Sequence, residues 1–196
     1  MTTDPASFQL EPRDADPPSD EMLLARFVSG DDDALGLLAQ RYERPMVGLA
    51  RGLVGTEDLA REAVQDTWVR VIRFADGYDG RASVKTWMYT ILTNKCRDLR
   101  RTERARSQRE RTRRPPPPAA TDHTTDARIA EAVSELEEPG REARVLCFCR
   151  GMTHCQAAAI LDVPIGTVKS RVHKAMARLR ERLGADGAGS SGEVSA

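Results

Sequence analysis

The chain has 196 residues with 30 acidic and 30 basic side chains, so its formal net charge is zero. This length is enough for one large domain or two small ones. No apolar run approaches the roughly 18 residues that a membrane span needs, and the acidic, proline-containing N-terminus lacks the apolar stretch of a signal peptide. We therefore expect a cytoplasmic protein that does not insert into membranes.

The balanced total conceals two segments of opposite charge. Residues 1–66 carry fourteen acidic and six basic side chains, whereas residues 81–114 carry twelve basic and three acidic ones. A basic segment attracts nucleic acid, and an acidic segment suits a protein surface. The distribution therefore predicts two kinds of partner.

The first part of the chain changes from a disordered pattern to a helical one. Residues 1–19 are rich in proline and acidic side chains, which predicts disorder. A helix is expected from Asp20. A second helix is expected from Ala34 to Leu53, where Pro45 should kink or divide it.

A third helix is predicted from Glu57 to about Phe74, with Thr56 as its N-terminal cap. Apolar residues recur in it at steps of three and four, which is typical of one buried helical face. The predicted core side consists of Leu59, Ala63, Val64, Trp68, Val71 and Ile72.

A fourth helix is predicted from Val84 to about Arg104, with Ser83 as its cap. Its predicted apolar side consists of Met88, Ile91, Leu92 and Leu99. Its predicted polar side consists of Thr90, Thr93, Arg97, Arg100, Arg101 and Arg104. Arginines near aromatic rings suit single-stranded nucleic acid, because phosphates pair with guanidinium groups and bases stack on rings. Alternatively, Trp87 belongs to the core and the arginines form a solvated face.

A basic, proline-rich linker is predicted over residues 105–126, since Pro115–Pro118 favours an extended segment. A second helical domain is then expected over residues 127–184, followed by a disordered glycine- and serine-rich tail over residues 185–196. The first helix of this domain should bury Ile129, Ala132, Val133 and Leu136. The next helix should bury Ala143, Val145, Leu146 and Phe148.

The end of this domain has the pattern of a helix-turn-helix. Thr153 and Gln156 fit a capping box, and Pro164 should end the short helix that they begin. From Ile165 a second helix is expected, with an apolar stripe at Val168, Val172, Ala175, Leu179 and Leu183. Its opposite face is basic and can lie in a major groove.

Three cysteines close together allow a metal or redox interpretation. On one helix Cys147 and Cys149 would lie about 200° apart, so they should not share a zinc ion. The alternative is that one of them packs in the core as a small apolar residue. Cys155 and His154 are nearby, and a redox switch based on a thiol is a further alternative.

The chain contains no phosphate-binding glycine loop, no nucleophile elbow and no His-Glu metal motif. We therefore expect no enzymatic activity, no cofactor and no catalytic or metal site.

Three motifs, in this order, resemble those of the extracytoplasmic-function (ECF) RNA polymerase sigma factors. Residues 65–68 (QDTW) look like the "QETF" stretch of region 2.2. Residues 83–94 (SVKTWMYTILTN) look like the "F-x-T-W-L-Y-x-I-A-x-N" run of regions 2.3 and 2.4. Residues 166–175 (GTVKSRVHKA) closely match the "GTVKSRLHRA" of region 4.2.

The resemblance implies an all-α protein with two small domains, sigma region 2 over residues 20–104 and sigma region 4 over residues 127–184, joined by a flexible linker. Its implied partners are core RNA polymerase, through the β′ clamp helices and the β flap, promoter DNA, and an anti-sigma factor.

The resemblance also implies roles for particular residues. Implied polymerase contacts are Glu62, Gln65, Asp66, Trp68 and Arg70. Implied −10 element contacts are Tyr78, Arg81, Lys85, Trp87, Thr90, Asn94, Arg97, Arg100 and Arg101. Implied −35 element contacts are Thr167, Lys169, Ser170, Arg171, His173 and Lys174.

Two other functions are compatible with parts of the sequence. A stand-alone helix-turn-helix regulator would bind an operator without polymerase, but it leaves the helix from Val84 to Arg104 unexplained. A redox- or zinc-sensing interaction protein would use the cysteines, whose helical spacing disfavours it.

Overall fold

The computed structural model describes residues 17–111, 132–133 and 136–187. At residues 110, 111, 149 and 183–187 it describes the backbone only. The described residues form helices and no strands, as the all-α prediction requires. The predicted N-terminal segment up to residue 16, most of the predicted linker, and the predicted tail beyond residue 187 lie outside the described residues.

The first domain contains four α-helices. These are α1 (Asp20–Val28), α2 (Asp32–Val54), α3 (Glu57–Phe74) and α4 (Val84–Arg111), with a short 3₁₀ turn at Ala75–Gly77. Helix α2 packs against the other three, and α3 also packs against α4. The fourth helix thus extends beyond the predicted end at Arg104.

In the described part of the second domain, three α-helices surround a π-helical turn. These are α5 (Glu138–Arg144), the π turn (Val145–Cys149), α6 (His154–Leu161) and α7 (Ile165–Gly187). Helix α7 packs against both α5 and α6. Ala132 and Val133, which precede α5, are helical and buried.

The core of the first domain consists of apolar side chains at helical spacing. Leu38, Met46 and Leu49 of α2 are fully buried. Helix α2 runs without a break through Pro45, so the predicted division is wrong. Proline removes one backbone hydrogen bond, and the apolar burial on both sides of it offsets this loss.

Side-chain caps explain the starts of α1 and α4. The Ser19 hydroxyl accepts a hydrogen bond from the Met22 amide at 3.1 Å, and the Ser83 hydroxyl accepts one from the Thr86 amide at 3.2 Å. Thr56 is the N-cap residue of α3 as predicted, but its side chain makes no capping hydrogen bond. Helix α3 instead begins with Glu57 and Asp58, which favour the positive end of its dipole.

Three predicted burial assignments are wrong. Ile72 and Phe148 are 50% and 57% exposed, although both were expected in the core. Thr93 was expected on the polar side and is fully buried, as are Tyr89 and Cys96 one turn away. The buried side of α4 is therefore wider than the predicted apolar stripe, because α4 packs against α2, α3 and α6.

Candidate nucleic-acid interface

The helix-turn-helix of α6 and α7 is held by its caps and its turn. The Thr153 hydroxyl accepts from the Gln156 amide at 3.2 Å, and the Gln156 side chain accepts from the Thr153 amide at 3.0 Å. This is the predicted capping box. The turn contains Asp162 at φ +52°, a left-handed conformation that asparagine and aspartate tolerate better than most residues.

Small and β-branched side chains allow the two helices to pack closely. Ala157 and Ile160 of α6 and Val168 of α7 are buried, and Val172 and Leu179 continue the buried stripe along α7. The opposite face of α7 is therefore turned outward by the 3.6-residue period.

The outward face of α7 carries the residues that the sequence predicted. Lys169, Ser170, His173 and Lys174 are exposed, and Thr167 and Arg171 are half-buried. The Ser170 hydroxyl donates to the Thr167 carbonyl at 3.0 Å. Within the described part of the chain, none of the four basic side chains on this face forms an ion pair, so their charge is available to an external anion.

Helix α5 supports α7 from behind. A Cβ atom at Gly140 would lie 3.6 Å from the Ala175 Cβ, so the two helices are in close contact. Arg178 of α7 pairs with Glu137 at 3.2 Å. Arg141 is almost fully buried and donates to the Leu136 carbonyl at 3.2 Å. The Gly140 contact and the Arg178 pair hold α7 against the start of its domain.

The loop before α4 and the start of α4 bring two predicted aromatic residues together. The Tyr78 and Trp87 ring centroids lie 5.3 Å apart with an interplanar angle of 48°. The Tyr78 hydroxyl donates to the Ala82 carbonyl, and Arg81 lies exposed beside Asp79 at 3.2 Å. Trp87 is half-buried, so its ring contributes to the loop's packing and keeps a surface for a stacking partner.

Four of the predicted −10 contacts share one face of α4. By helical spacing Trp87, Thr90, Asn94 and Arg101 project to the same side. Asn94 and Arg101 are exposed, and Arg101 pairs with Asp98 of its own helix at 3.1 Å. We call these four residues the open face of α4.

Three other predicted −10 contacts are turned toward the second domain or toward α2. Arg97 donates two hydrogen bonds to the Glu142 carboxylate, at 2.6 and 2.8 Å, which raise the pKa of its guanidinium. Arg100 donates to the Leu53 carbonyl at 2.6 Å, and its burial lowers its pKa. Lys85 borders a cleft of about 340 Å³ between the domains. The sequence predicts an open surface for all three residues, because a contact with a distant segment leaves no pattern in the neighbouring residues.

The predicted polymerase contacts lie on and beside α3. Glu62, Gln65 and Arg70 are exposed. Asp66 pairs with Lys95 of α4, and the Trp68 indole nitrogen donates to Glu43 of α2 at 2.7 Å. Asp66 and Trp68, two of the five residues, thus already have bonding partners within the protein.

The same helix presents apolar side chains that the sequence analysis missed. Val69, Ile72 and Phe74 are 58%, 50% and 53% exposed. An outward apolar run next to polar residues is typical of a protein-binding surface. Val69 and Ile72, which lie three residues apart on one face of the helix, are defined here as the α3 apolar patch. The sequence does contain a signal for this exposed surface, because Val69 is an apolar residue just outside the predicted core stripe.

The cysteines differ in their surroundings. Cys96 is buried, which raises the pKa of its thiol to about 12. Burial also raises the pKa of the Cys147 thiol, whereas Cys155 is exposed. Among the residues described, no group of three or more histidine, cysteine, aspartate and glutamate side chains could hold a metal ion. None of the described helices is long and apolar enough to cross a membrane.

The capped helix-turn-helix has a basic face that forms no ion pair among the described residues. Beside it, the open face of α4 combines aromatic and basic side chains. Together these two features define a DNA-binding protein with two helical domains. Residues 38–106 match the family model "Sigma-70 region 2", and residues 132–181 match "Sigma-70, region 4".

Curated relatives cover nearly the whole chain. RNA polymerase sigma factor NccH of Alcaligenes xylosoxydans xylosoxydans is 32% identical over 179 residues, which are 86% of this chain and 96% of that protein. ECF RNA polymerase sigma factor SigM of Mycobacterium tuberculosis is 35% identical over 170 residues, 85% of each chain.

Two solved structures are similar in fold. CnrH in complex with the cytosolic domain of CnrY gives a TM-score of 0.69 at 30% identity, covering 85% of this chain and 98% of CnrH. The sigma factor RpoE in complex with the anti-sigma factor NepR from Bartonella quintana gives 0.63 at 28% identity, covering 78% and 98%. The chain belongs to the ECF group of sigma-70 RNA polymerase sigma factors, which confirms the resemblance of its motifs.

Proposed function

We propose that α7 of this sigma factor binds the −35 element of its promoters as duplex DNA. The observation that carries this assignment is the unpaired basic face of α7, held outward by the capped helix-turn-helix. Lys169 and Lys174 are placed to contact phosphates, and Arg171 and His173 to reach base edges in the major groove. Thr167 and Ser170 complete the contact face.

The open face of α4 and the loop before it hold the unpaired strand of the −10 element. Trp87 offers a ring for a base, and Asn94 and Arg101 offer polar and charged groups beside it. Tyr78 supports the Trp87 ring, and Arg81 extends the basic surface along the loop. Arg100 is assigned a role in the fold, and Lys85 is assigned to the interdomain cleft.

Helix α3 docks on the β′ clamp helices of core polymerase, and the second domain contacts the β flap. The α3 apolar patch supports this, because its side chains would leave water on docking. Glu62, Gln65 and Arg70 form its polar rim. Asp66 and Trp68 fix the helix through their bonds to Lys95 and Glu43.

An anti-sigma factor is a further expected partner. The similar structures of CnrH and RpoE were each solved in complex with another protein, the cytosolic domain of CnrY and the anti-sigma factor NepR. A protein that covered the α3 apolar patch would compete with polymerase for this chain. The protein has no catalytic role of its own and works in the cytoplasm, where polymerase and promoters are found.

Transcription with purified components tests the proposal. The full chain is added to core polymerase and a library of promoter fragments. We expect specific transcripts that depend on the chain and on two sequence elements. Specific operator binding by the protein alone, with no transcript from any fragment, would instead favour the stand-alone regulator.

A further inference from the structure

Two basic side chains line the cleft between the domains without an acidic partner. Lys85 borders the cleft from the start of α4, and Arg150, which follows the π turn, borders it from the second domain. Neither side chain forms an ion pair or a hydrogen bond with any of the residues that the structure describes. The cleft therefore carries an excess of positive charge that the described part of the chain does not neutralise.

A glycine of α2 holds the guanidinium of Arg150 in place. A Cβ atom at Gly48 would lie 1.7 Å from Nη2 of Arg150 and 2.7 Å from its Cζ, so the guanidinium rests directly on the backbone of that helix. Its Nε is buried and has no hydrogen-bond partner among the described residues. A guanidinium offers only donors, and a buried donor without a partner is unfavourable. Arg150 therefore lacks acceptors, which a bound anion would supply.

Two carboxylates beside the cleft are already engaged elsewhere. Tyr42 lines the cleft and its hydroxyl donates to Asp20, which also pairs with Arg41. Glu21 accepts a hydrogen bond from the Val84 amide at 3.2 Å, in the first turn of α4. The charges of both carboxylates are directed to these partners, and neither of them pairs with the basic groups of the cleft.

Pro45, Met152 and two tyrosines form the other walls of the cleft. The rings of Tyr42 and Tyr89 meet edge to face with their centroids 6.2 Å apart, and both residues are buried. The Tyr89 hydroxyl forms no hydrogen bond within the described part of the chain. Burial raises the pKa of this phenol, so it stays protonated at neutral pH and can donate. Charges beside such apolar walls attract an anion more strongly than charges in open water do.

We propose that this cleft is a binding site for a small phosphorylated ligand, whose phosphate lies between Lys85 and Arg150 and accepts a hydrogen bond from the Tyr89 hydroxyl. Arginine binds phosphate through paired N–H groups, and lysine binds it as a point charge. The cleft volume of about 340 Å³ is near the lower end of the roughly 300–1,000 Å³ of small-molecule sites. A compact phosphate or diphosphate compound therefore suits it better than a strand of DNA. The site does not depend on the proposed promoter and polymerase contacts.

Titration of the full chain with inorganic pyrophosphate tests the site. Calorimetry at constant ionic strength should show saturable binding. The melting temperature should rise with pyrophosphate concentration, because the ligand binds only the folded chain. Sodium sulfate at the same ionic strength is the control for general salt effects. No saturable binding at millimolar pyrophosphate, or an equal effect of sulfate, would overturn the proposal.

Loss of either positive charge should weaken pyrophosphate binding. Lys85→Gln and Arg150→Gln should each raise the Kd at least about ten-fold, as expected for a lost hydrogen bond to a charged group. Lys85→Arg keeps the charge and should keep most of the affinity, which separates a lost contact from a folding defect. The matched control is Arg44→Gln on α2, because Arg44 is exposed and does not line the cleft. If Arg44→Gln weakens binding as much as the two cleft variants, only the net charge matters and there is no site.

Gly48→Ala tests the placement of Arg150 without removing a charge. The added Cβ would displace the guanidinium from α2, so the pyrophosphate Kd should rise several-fold. Alanine itself favours a helix, so α2 should not be weakened. The matched control is Gly36→Ala on the same helix, where nothing lies within 4 Å of an added Cβ, and it should bind like the wild type. Wild-type affinity in Gly48→Ala would contradict a site built around Arg150.

Competition distinguishes a free phosphate compound from the phosphates of DNA. Radiolabelled pyrophosphate is bound to the full chain, and unlabelled pyrophosphate or a short single-stranded oligonucleotide is added at equal phosphate concentration. Unlabelled pyrophosphate should displace the label. The oligonucleotide should leave most of it in place, because the cleft lies outside the open face of α4. Displacement by the oligonucleotide as strong as that by pyrophosphate would assign the cleft to DNA and overturn the small-molecule site.

Discussion

The indole nitrogen of Trp68 donates a hydrogen bond to the Glu43 carboxylate across 2.7 Å, which ties the surface of α3 to α2. Trp68 thus supports the docking helix from within its own domain. Replacing Glu43 by Ala should lower the free energy of unfolding by about 1 kcal/mol, the usual contribution of one such bond. Thermal and urea unfolding measure this. Glu43→Gln keeps an acceptor oxygen and serves as the control, so equal stability of the two variants would contradict the role of the bond.

A charge in the α3 apolar patch should prevent polymerase binding. Val69 is 58% exposed, so Val69→Glu leaves the core intact but would bury a carboxylate at the interface with polymerase. We expect at least about ten-fold weaker binding to core, a cost of about 1.4 kcal/mol or more. Val28→Glu is the matched control, since Val28 is 49% exposed on α1. If both variants bind core like the wild type, α3 is not the docking helix.

Arg171 and Lys174 should have different effects on promoter binding. Arg171→Ala should cost about 1–3 kcal/mol and relax discrimination at one −35 position, because a base contact is lost. Lys174→Ala should weaken binding to all sequences and reduce the salt dependence, because a phosphate contact is lost. Competition binding of holoenzyme to −35 variants at several salt concentrations separates these effects. Arg180→Ala on the same helix is the control. Unchanged discrimination in Arg171→Ala would remove Arg171 from the reading face.

Trp87 should contribute more to promoter opening than to stability. Its ring packs on Tyr78 at 5.3 Å but stays half-exposed, so Trp87→Ala should cost about 1–2 kcal/mol of unfolding free energy. Opening of the −10 element, followed by permanganate reactivity of unpaired thymines, should fall much more. A duplex promoter and one already unpaired at the −10 element are compared. A large loss of stability with an equal loss on both templates would show that Trp87 is only a core residue.

Features encoded by neighbouring residues could be predicted, and contacts between distant segments could not. The capping box of Thr153 with Gln156 and the stripe of α7 depend on residues three or four apart, so the sequence shows them directly. The pair of Arg97 with Glu142 joins residues 45 positions apart. No local pattern distinguishes an arginine that faces solvent from one that faces a second domain.

The errors in the predicted core have the same origin. Thr93 has a polar side chain, yet it is buried because several helices pack against α4 and widen its buried side. Ile72 fits the helical period of α3 but lies where that helix has no neighbour within the described chain. Periodicity shows which residues share a face, whereas only the tertiary arrangement shows how many faces are covered.

Cys96 should make stability fall at alkaline pH. Burial raises the pKa of its thiol from 9.0 to about 12, so between these values the unfolded chain ionises while the folded chain keeps its proton. Ionisation of the unfolded state favours unfolding, so the stability contribution is complete below pH 9 and is lost as pH rises. At pH 10 the loss should be about 1 kcal/mol.

Urea unfolding of the wild type and Cys96→Ala at pH 8 and pH 10 isolates this effect, because the tyrosines contribute equally to both proteins. The decrease from pH 8 to pH 10 should be larger in the wild type by that amount. The exposed Cys155 should react with a thiol reagent in the folded protein, and Cys96 only after unfolding. An equal pH dependence in both proteins, or rapid labelling of Cys96 in the folded state, would show that the thiol is accessible. A buried, protonated Cys96 cannot act as a redox sensor, which leaves Cys155 as the most exposed thiol among the cysteines whose side chains the structure describes.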